Sequence, residues 1–133
     1  MIYSWQNDIW RRLMSTKATL PGALLLQGRA GIGKFHLAYT LAQALLCESP
    51  LESGEPCEHC GSCHWFKIGG HPDFRLLEPD AQSASTESTG ETVEQELIKK
   101  ATDKKASQYI TVTHIGELAD FVNLTTHRNG MRI

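Results

Sequence analysis

The sequence lacks several features that would set its class at once. No stretch approaches the roughly 20 apolar residues of a membrane-spanning helix, so no membrane partner is expected. The opening Met1-Ile2-Tyr3-Ser4-Trp5 has neither the basic n-region nor the apolar h-region of a secretory leader, which points to a cytoplasmic protein. Charge of one sign is not in excess. At a net charge of −2 the whole surface does not attract nucleic acid, although a local basic patch is compatible with that balance. No internal repeat is visible, and no Ser/His/Asp or Cys/His arrangement supports nucleophilic catalysis. His36, His114 and His127 stand isolated and are assigned no chemistry, so no catalytic residue is named. Hydrophobic residues make up 41% of the 133, against roughly 45–50% in globular domains by a count that includes Gly. The length suits one domain.

What is present centres on Gln27-Gly28-Arg29-Ala30-Gly31-Ile32-Gly33-Lys34-Phe35. The apolar run Ala23-Leu24-Leu25-Leu26 enters it as a strand of the kind buried on both faces of a parallel sheet. A helical stripe of Leu37, Ala38, Leu41, Ala44 and Leu45 leaves it, ending near Leu46 or Cys47 before Pro50. Strand, Gly28-x4-Gly33-Lys34 and helix form a phosphate-binding loop. Glycines let successive N–H groups turn toward an anion, the helix N-terminus adds positive charge, and Lys34 reaches the outer phosphates. The candidate cofactor-binding residues are Gly28, Arg29, Ala30, Gly31, Ile32, Gly33, Lys34 and Phe35. Phe35 breaks the pattern, because a Ser or Thr hydroxyl should stand there to hold Mg²⁺. The bland alternative is a retained structural turn that packs helix on sheet.

Upstream, Trp5, Ile9, Trp10, Leu13 and Met14 recur at helical spacing over about residues 4–15, with the tryptophans read as core and Arg11 and Arg12 near the wet side. His64 to Ile68 reads as a short helix, Gly69-Gly70-His71-Pro72 as a turn, and Asp73 to Leu77 as a second strand stopped by Pro79. Residues 81–92 hold no aliphatic side chain larger than Ala and are expected to be mobile. Val93 to Ser107 is a charged, thinly apolar helical stretch. Its lysines, Lys99-Lys100 and Lys104-Lys105, are better explained as a solvated face than as DNA contacts. Ile110 and Val112 are read as extended. A helix capped by Thr113 and striped by Ile115, Leu118, Ala119 and Val122 follows, then a turn at Arg128-Asn129-Gly130 and the opening of a strand at Met131-Arg132-Ile133.

Cys57-Glu58-His59-Cys60-Gly61-Ser62-Cys63 contains two C-x2-C spacings, with Cys47 upstream. In a reducing compartment cysteines so spaced favour metal over disulfides. Two intervening residues let a tight turn aim both sulfurs at one ion, and Gly61 suits the close backbone approach of a knuckle. Cys47, Cys57, Cys60 and Cys63 would make a closed tetrahedral site, the structural kind for Zn²⁺. A site using His59 or His64, an iron–sulfur cluster, and no metal are the alternatives left open.

The phosphate loop, the helix ending Leu45-Leu46-Cys47, the Cys57-x2-Cys60-x2-Cys63 module and His71-Pro72-Asp73-Phe74 together resemble the delta-prime subunit family of bacterial DNA polymerase III, AAA+ proteins of the sliding-clamp loader. The likeness runs from Trp5 to Ile133, and the stretch from Phe121 to Ile133 looks like the family's approach to its Walker B strand. It implies a P-loop NTPase/AAA+ three-layer α/β fold with sheet order 5-1-4-3-2. Residues 1–133 would be its N-terminal part, with a zinc module inserted at 47–63 and a mobile loop at 80–108. It also implies a role in DNA replication. The delta and gamma/tau subunits would be partners, and the sliding clamp and primed DNA would be met through the complex. The phosphate loop would be degenerate, binding ATP weakly or not at all. By resemblance the chain belongs to a DNA-directed DNA polymerase (nucleotidyltransferase) holoenzyme without being catalytic itself.

Two departures stand out: Phe35, and Gly116 where relatives tend to carry a basic residue, which lowers helix propensity by roughly 1 kcal/mol relative to Ala. The family's Ser-Arg-Cys motif and acidic Walker B residues do not occur, as expected of an N-terminal fragment. Strands 4 and 5 would then be missing and strand 1 would lack both neighbours. The isolated chain is accordingly expected to be marginal, self-associated or held by non-native pairing. The alternative function is an active P-loop nucleotidase or kinase, for which the only nearby acid is Asp73, better read as a turn cap. A sharp, cooperative unfolding transition of a monomer in calorimetry would contradict the expected marginality.

Overall fold

The computed structural model describes residues 2–79, 108–127 and 131–133. They fall into two compact units, one within Met1–Arg75 and Thr126–Ile133, the other within Leu76–Thr125. The expectations for the loop at 80–107, for the charged stretch Val93–Ser107 and for the turn at 128–130 lie outside the described residues.

In the first unit a 3-10 turn, Ser4–Gln6, leads into α1, Asn7–Ser15. At the end of the helix the Ser15 and Thr16 hydroxyls turn back onto the Arg12 carbonyl, at 2.8 and 2.9 Å, beside the Thr16 N–H that also donates to it at 3.2 Å. Trp10 is core, as its spacing predicts: it is buried against Leu37, Leu41 and Ala44 of α2, and its indole N–H donates to Ser53 O at 3.0 Å. Trp5 is not. It is 62% exposed and stacks on Tyr3 with ring centroids 4.7 Å apart. The two tryptophans are five residues apart, and a 3-10 turn intervenes, so the helical stripe that buries one does not carry the other.

The stretch Ala23–Gln27 carries no regular secondary structure, and no strand occurs among the described residues. A ladder needs a partner, and an apolar run cannot supply one by itself; Leu25 is accordingly 81% exposed. The second expected strand, Asp73–Leu77, does not form as a strand either, but one bridge-like pair of bonds is present there. Ile133 N–H donates to Asp73 O at 2.9 Å and Arg75 N–H donates to Ile133 O at 3.0 Å. That exchange is the pattern of a parallel bridge centred on Phe74 and Ile133.

α2, Lys34–Leu46, begins at Gly33, whose φ of +85° is a left-handed setting that favours glycine. It is buried on two flanks. Leu37, Leu41 and Ala44 meet Trp10, while Ala42 and Leu46 meet Phe66, with Tyr39, Phe74 and Ile133 packed around that second cluster. Ala38, expected in the stripe, is exposed. α3, Gly61–Lys67, starts three residues before the predicted His64, because the Cys60 sulfur accepts the Cys63 N–H and so caps it.

The second unit holds α4, Val112–Gly116, and α5, Leu118–Asn123. The cap is Thr111, not Thr113. Its side chain accepts the His114 N–H while His114 Nδ1 accepts the Thr111 N–H at 3.3 Å, a capping box that draws Val112 out of the expected extended segment. The break between the two helices follows Gly116, where propensity is lowest. No helix among the described residues is long and apolar enough to cross a membrane.

Phe66 is 1% exposed and touches Tyr39, Phe74 and His71. Phe66→Ala should cost about 3–5 kcal/mol, read by chemical denaturation; a loss below about 1 kcal/mol would mean that this cluster does not hold the unit together.

Candidate metal centre and phosphate loop

The four cysteine sulfurs, drawn from the end of α2 and from the Cys57–Cys63 stretch, lie within 4.8 Å of one another. Cys47 and Cys57 are 3.5 Å apart, Cys47 and Cys60 3.9 Å, Cys57 and Cys63 4.0 Å. These are too long for disulfides. They surround the edge of about 3.8 Å that a tetrahedron of Zn–S bonds near 2.3 Å requires. Backbone N–H groups turn the knuckles inward: Cys60 N–H donates to Cys57 Sγ, Cys63 N–H to Cys60 Sγ and Cys57 N–H to Cys47 Sγ, each at 3.4 Å. The left-handed residue of the first knuckle is Glu58, at φ +65°; the expected role for Gly61 is replaced by its place at the start of α3. Neither histidine joins the set. His59 Nδ1 turns to the Cys57 carbonyl, and His64 is exposed on α3.

The electrostatics of the cluster are compatible with a bound cation. A hydrogen bond from the Ser49 hydroxyl draws the Cys57 thiol down to about 5. Burial pushes Cys63 up to about 12 and raises Cys47 as well. One thiolate is thus favoured, and its neighbours resist ionisation chiefly because burial penalises their charged form. A dication among the sulfurs reverses that balance. The donor set, the spacing and the inward N–H groups fit a closed four-thiolate centre.

Next to the cluster lies a buried hydrogen-bonded network joining Ser62 of α3 to the expected turn at His71. His71 Nε2 meets Ser62 Oγ at 2.8 Å, Ser62 Oγ donates to Leu46 O at 2.6 Å, and Asp73 N–H donates to His71 Nδ1 at 3.1 Å. The Asp73 carboxylate accepts the His127 N–H at 2.9 and 3.1 Å, in keeping with a capping role for Asp73. The His-Pro-Asp order was the available signal, since His and Asp two apart can close such a loop.

At the phosphate loop the described contacts run to carbonyls. Lys34 Nζ donates to Gly28 O at 2.9 Å and Arg29 O at 2.7 Å. Gln6 Nε2 reaches Ile32 O and Gly33 O, and Trp5 Nε1 reaches Ile32 O. Ala30 and Gly31 are exposed, Gly31 at φ +81°. Phe35 is 56% exposed and stacks on Tyr39 with centroids 5.8 Å apart, offering no oxygen where a magnesium ligand is required.

The family model described as DNA polymerase III, delta subunit, matches residues 5–133. The chain belongs to that family. DNA polymerase III subunit delta' of Bacillus subtilis is 32% identical over 127 residues, covering 89% of this chain and 37% of that protein. The subunit delta' of Pseudomonas aeruginosa is 43% identical over 79 residues, covering 59% of this chain and 24% of that protein, and that of Escherichia coli is 34% identical over 80 residues with the same shares. The chain thus spans about a quarter to a third of the length of these relatives. No solved structure matches it.

Burial holds His71 below the usual imidazole range, partly opposed by the Asp73 carboxylate. A depressed folded value means that the neutral ring stabilises the fold above the unfolded value of about 6.5, and that this is lost as pH falls through the folded value. Unfolding free energy should therefore fall as pH drops below about 6.5. His71→Gln should drop less steeply; identical slopes would remove His71 as the titrating group.

Proposed function

We propose that this chain acts within the clamp loader of DNA polymerase III, as a non-catalytic scaffold segment that helps to load the sliding clamp onto primed DNA in the cytoplasm. The observation that carries the reading is the family match over residues 5–133, with relatives named as delta' subunits of that polymerase. Delta and gamma/tau subunits are its direct partners, and clamp and DNA are met through the complex. Residues 1–133 form the N-terminal part of a three-layer AAA+ α/β domain, with the metal module at 47–63 inserted after the phosphate-loop helix and a mobile loop at 80–108. Two features support that fold. The Phe74–Ile133 bridge is parallel, and an apolar groove of about 800 Å³ lies between Leu24–Leu26 and Met131–Ile133, where the expected sheet order puts another strand. The chain should co-elute with its cognate delta and gamma/tau subunits in size-exclusion chromatography; separate elution at micromolar concentrations would reject the assembly role.

Cys47, Cys57, Cys60 and Cys63 hold one structural Zn²⁺, which supplies a cross-link and no reaction. Metal analysis should find about one zinc per chain, lost in Cys57→Ser and Cys60→Ser. Unchanged zinc content in both variants would remove the assignment.

Nucleotide binding at Gly28–Phe35 is weak or absent, because Lys34 is engaged by its own loop and Phe35 cannot hold magnesium. The intact Gly28-x4-Gly33-Lys34 spacing favours a second reading, an active nucleotidase or kinase. ATP titrated with and without Mg²⁺ should give no strong saturable signal. ATP hydrolysis that Lys34→Ala abolishes would establish the second reading instead.

A further inference from the structure

Three of the four sulfurs come from the single stretch Cys57–Cys63, where local N–H bonds aim them. Cys47 comes from a different element, the end of α2. Besides its sulfur contacts, two hydrogen bonds tie this end of α2 to the knuckles. One is the Cys57 N–H bond to the Cys47 sulfur. The other is the Ser62 hydroxyl, which stands between Cys60 and Cys63 in the chain and donates to the carbonyl of Leu46, the residue immediately before Cys47.

The direction of each bond around Ser62 follows from proton counting. Its one hydroxyl proton goes to Leu46 O, so its contact with His71 runs the other way, Nε2–H donating to Oγ. The other ring nitrogen agrees, because it accepts the Asp73 N–H and must be bare. A single neutral tautomer satisfies both contacts, and Ser62, His71 and Asp73 are all 0–1% exposed. Asp73 is itself anchored on the His127 N–H.

We propose that Ser62 and His71 are positioning residues of the metal centre: the hydrogen-bonded relay from His71 through Ser62 to Leu46 sets Cys47 against the Cys60–Cys63 knuckle before any ion arrives. The inference rests on the reading of the four cysteines as a zinc site. Its physical basis is preorganisation, since a site whose ligands are already spaced loses less conformational freedom on binding. Partners one shell out typically change metal affinity by about 10–100-fold. Removing the Ser62 hydroxyl would also strand the buried His71 Nε2–H without an acceptor, so the histidine could no longer hold its orientation.

The test uses the full 133-residue chain, loaded with zinc or cobalt(II). Ser62→Ala and His71→Ala should each weaken zinc about 10–100-fold in competition with a chromogenic chelator. Zinc stoichiometry at saturation should stay at that of the unsubstituted chain. The cobalt form should keep its thiolate charge-transfer intensity, because the four sulfurs remain, while its ligand-field bands shift as the tetrahedron loosens. His71→Gln, whose amide N–H can reach Ser62, should recover affinity toward the unsubstituted value. Leu37→Ala, in the separate Trp10 cluster, should lower stability and leave the cobalt bands in place. Unaltered affinity and bands in Ser62→Ala would overturn the relay, as would cobalt bands that shift equally in Leu37→Ala. His71→Gln no better than His71→Ala would overturn the part assigned to His71. An unsubstituted chain that binds neither metal would overturn the zinc reading and the relay together.

Discussion

Helix α2 is held from two sides at once, and most of the first unit depends on that double burial. Leu37, Leu41 and Ala44 face Trp10, and Ala42 and Leu46 face Phe66. A helix clamped on both flanks cannot roll without opening one cluster or the other. One end presents the Gly28–Gly33 loop. The other presents the Leu46 carbonyl and Cys47.

The two ends have different chemistry. At the N-terminal end Lys34 is folded onto Gly28 O and Arg29 O, and Phe35 is exposed. At the C-terminal end the sulfurs converge at spacings suited to one ion, over a buried relay with every described proton accounted for.

Much of this could be read from the chain. The span of α2, the burial of Trp10 and the convergence of Cys47, Cys57, Cys60 and Cys63 all follow from periodicity and spacing. The start of α3 at Gly61 did not, because its cap is a cysteine sulfur, outside the Ser, Thr, Asp and Asn set by which caps are recognised. Nor did the Thr111 box, which uses His114 where Glu or Gln is the usual signal. Trp5 misled for a different reason: an aromatic at near-helical spacing looks buried until the 3-10 turn before α1 rotates it outward.

By itself the sequence determined what depends on local order and residue type: which segments are helical, which backbone positions need glycine, and which residues carry sulfur, cation or carboxylate. Tertiary structure alone decided which of them meet. That His71, Ser62 and Leu46 would form one proton-ordered relay beside the cysteines depends on α2 and α3 packing across the Ala42, Leu46 and Phe66 cluster. Likewise Phe74 and Ile133 become neighbours only when distant parts of the chain close on each other. Such contacts arise from the shared burial of apolar surface, a property of the folded whole that no single stretch of sequence encodes.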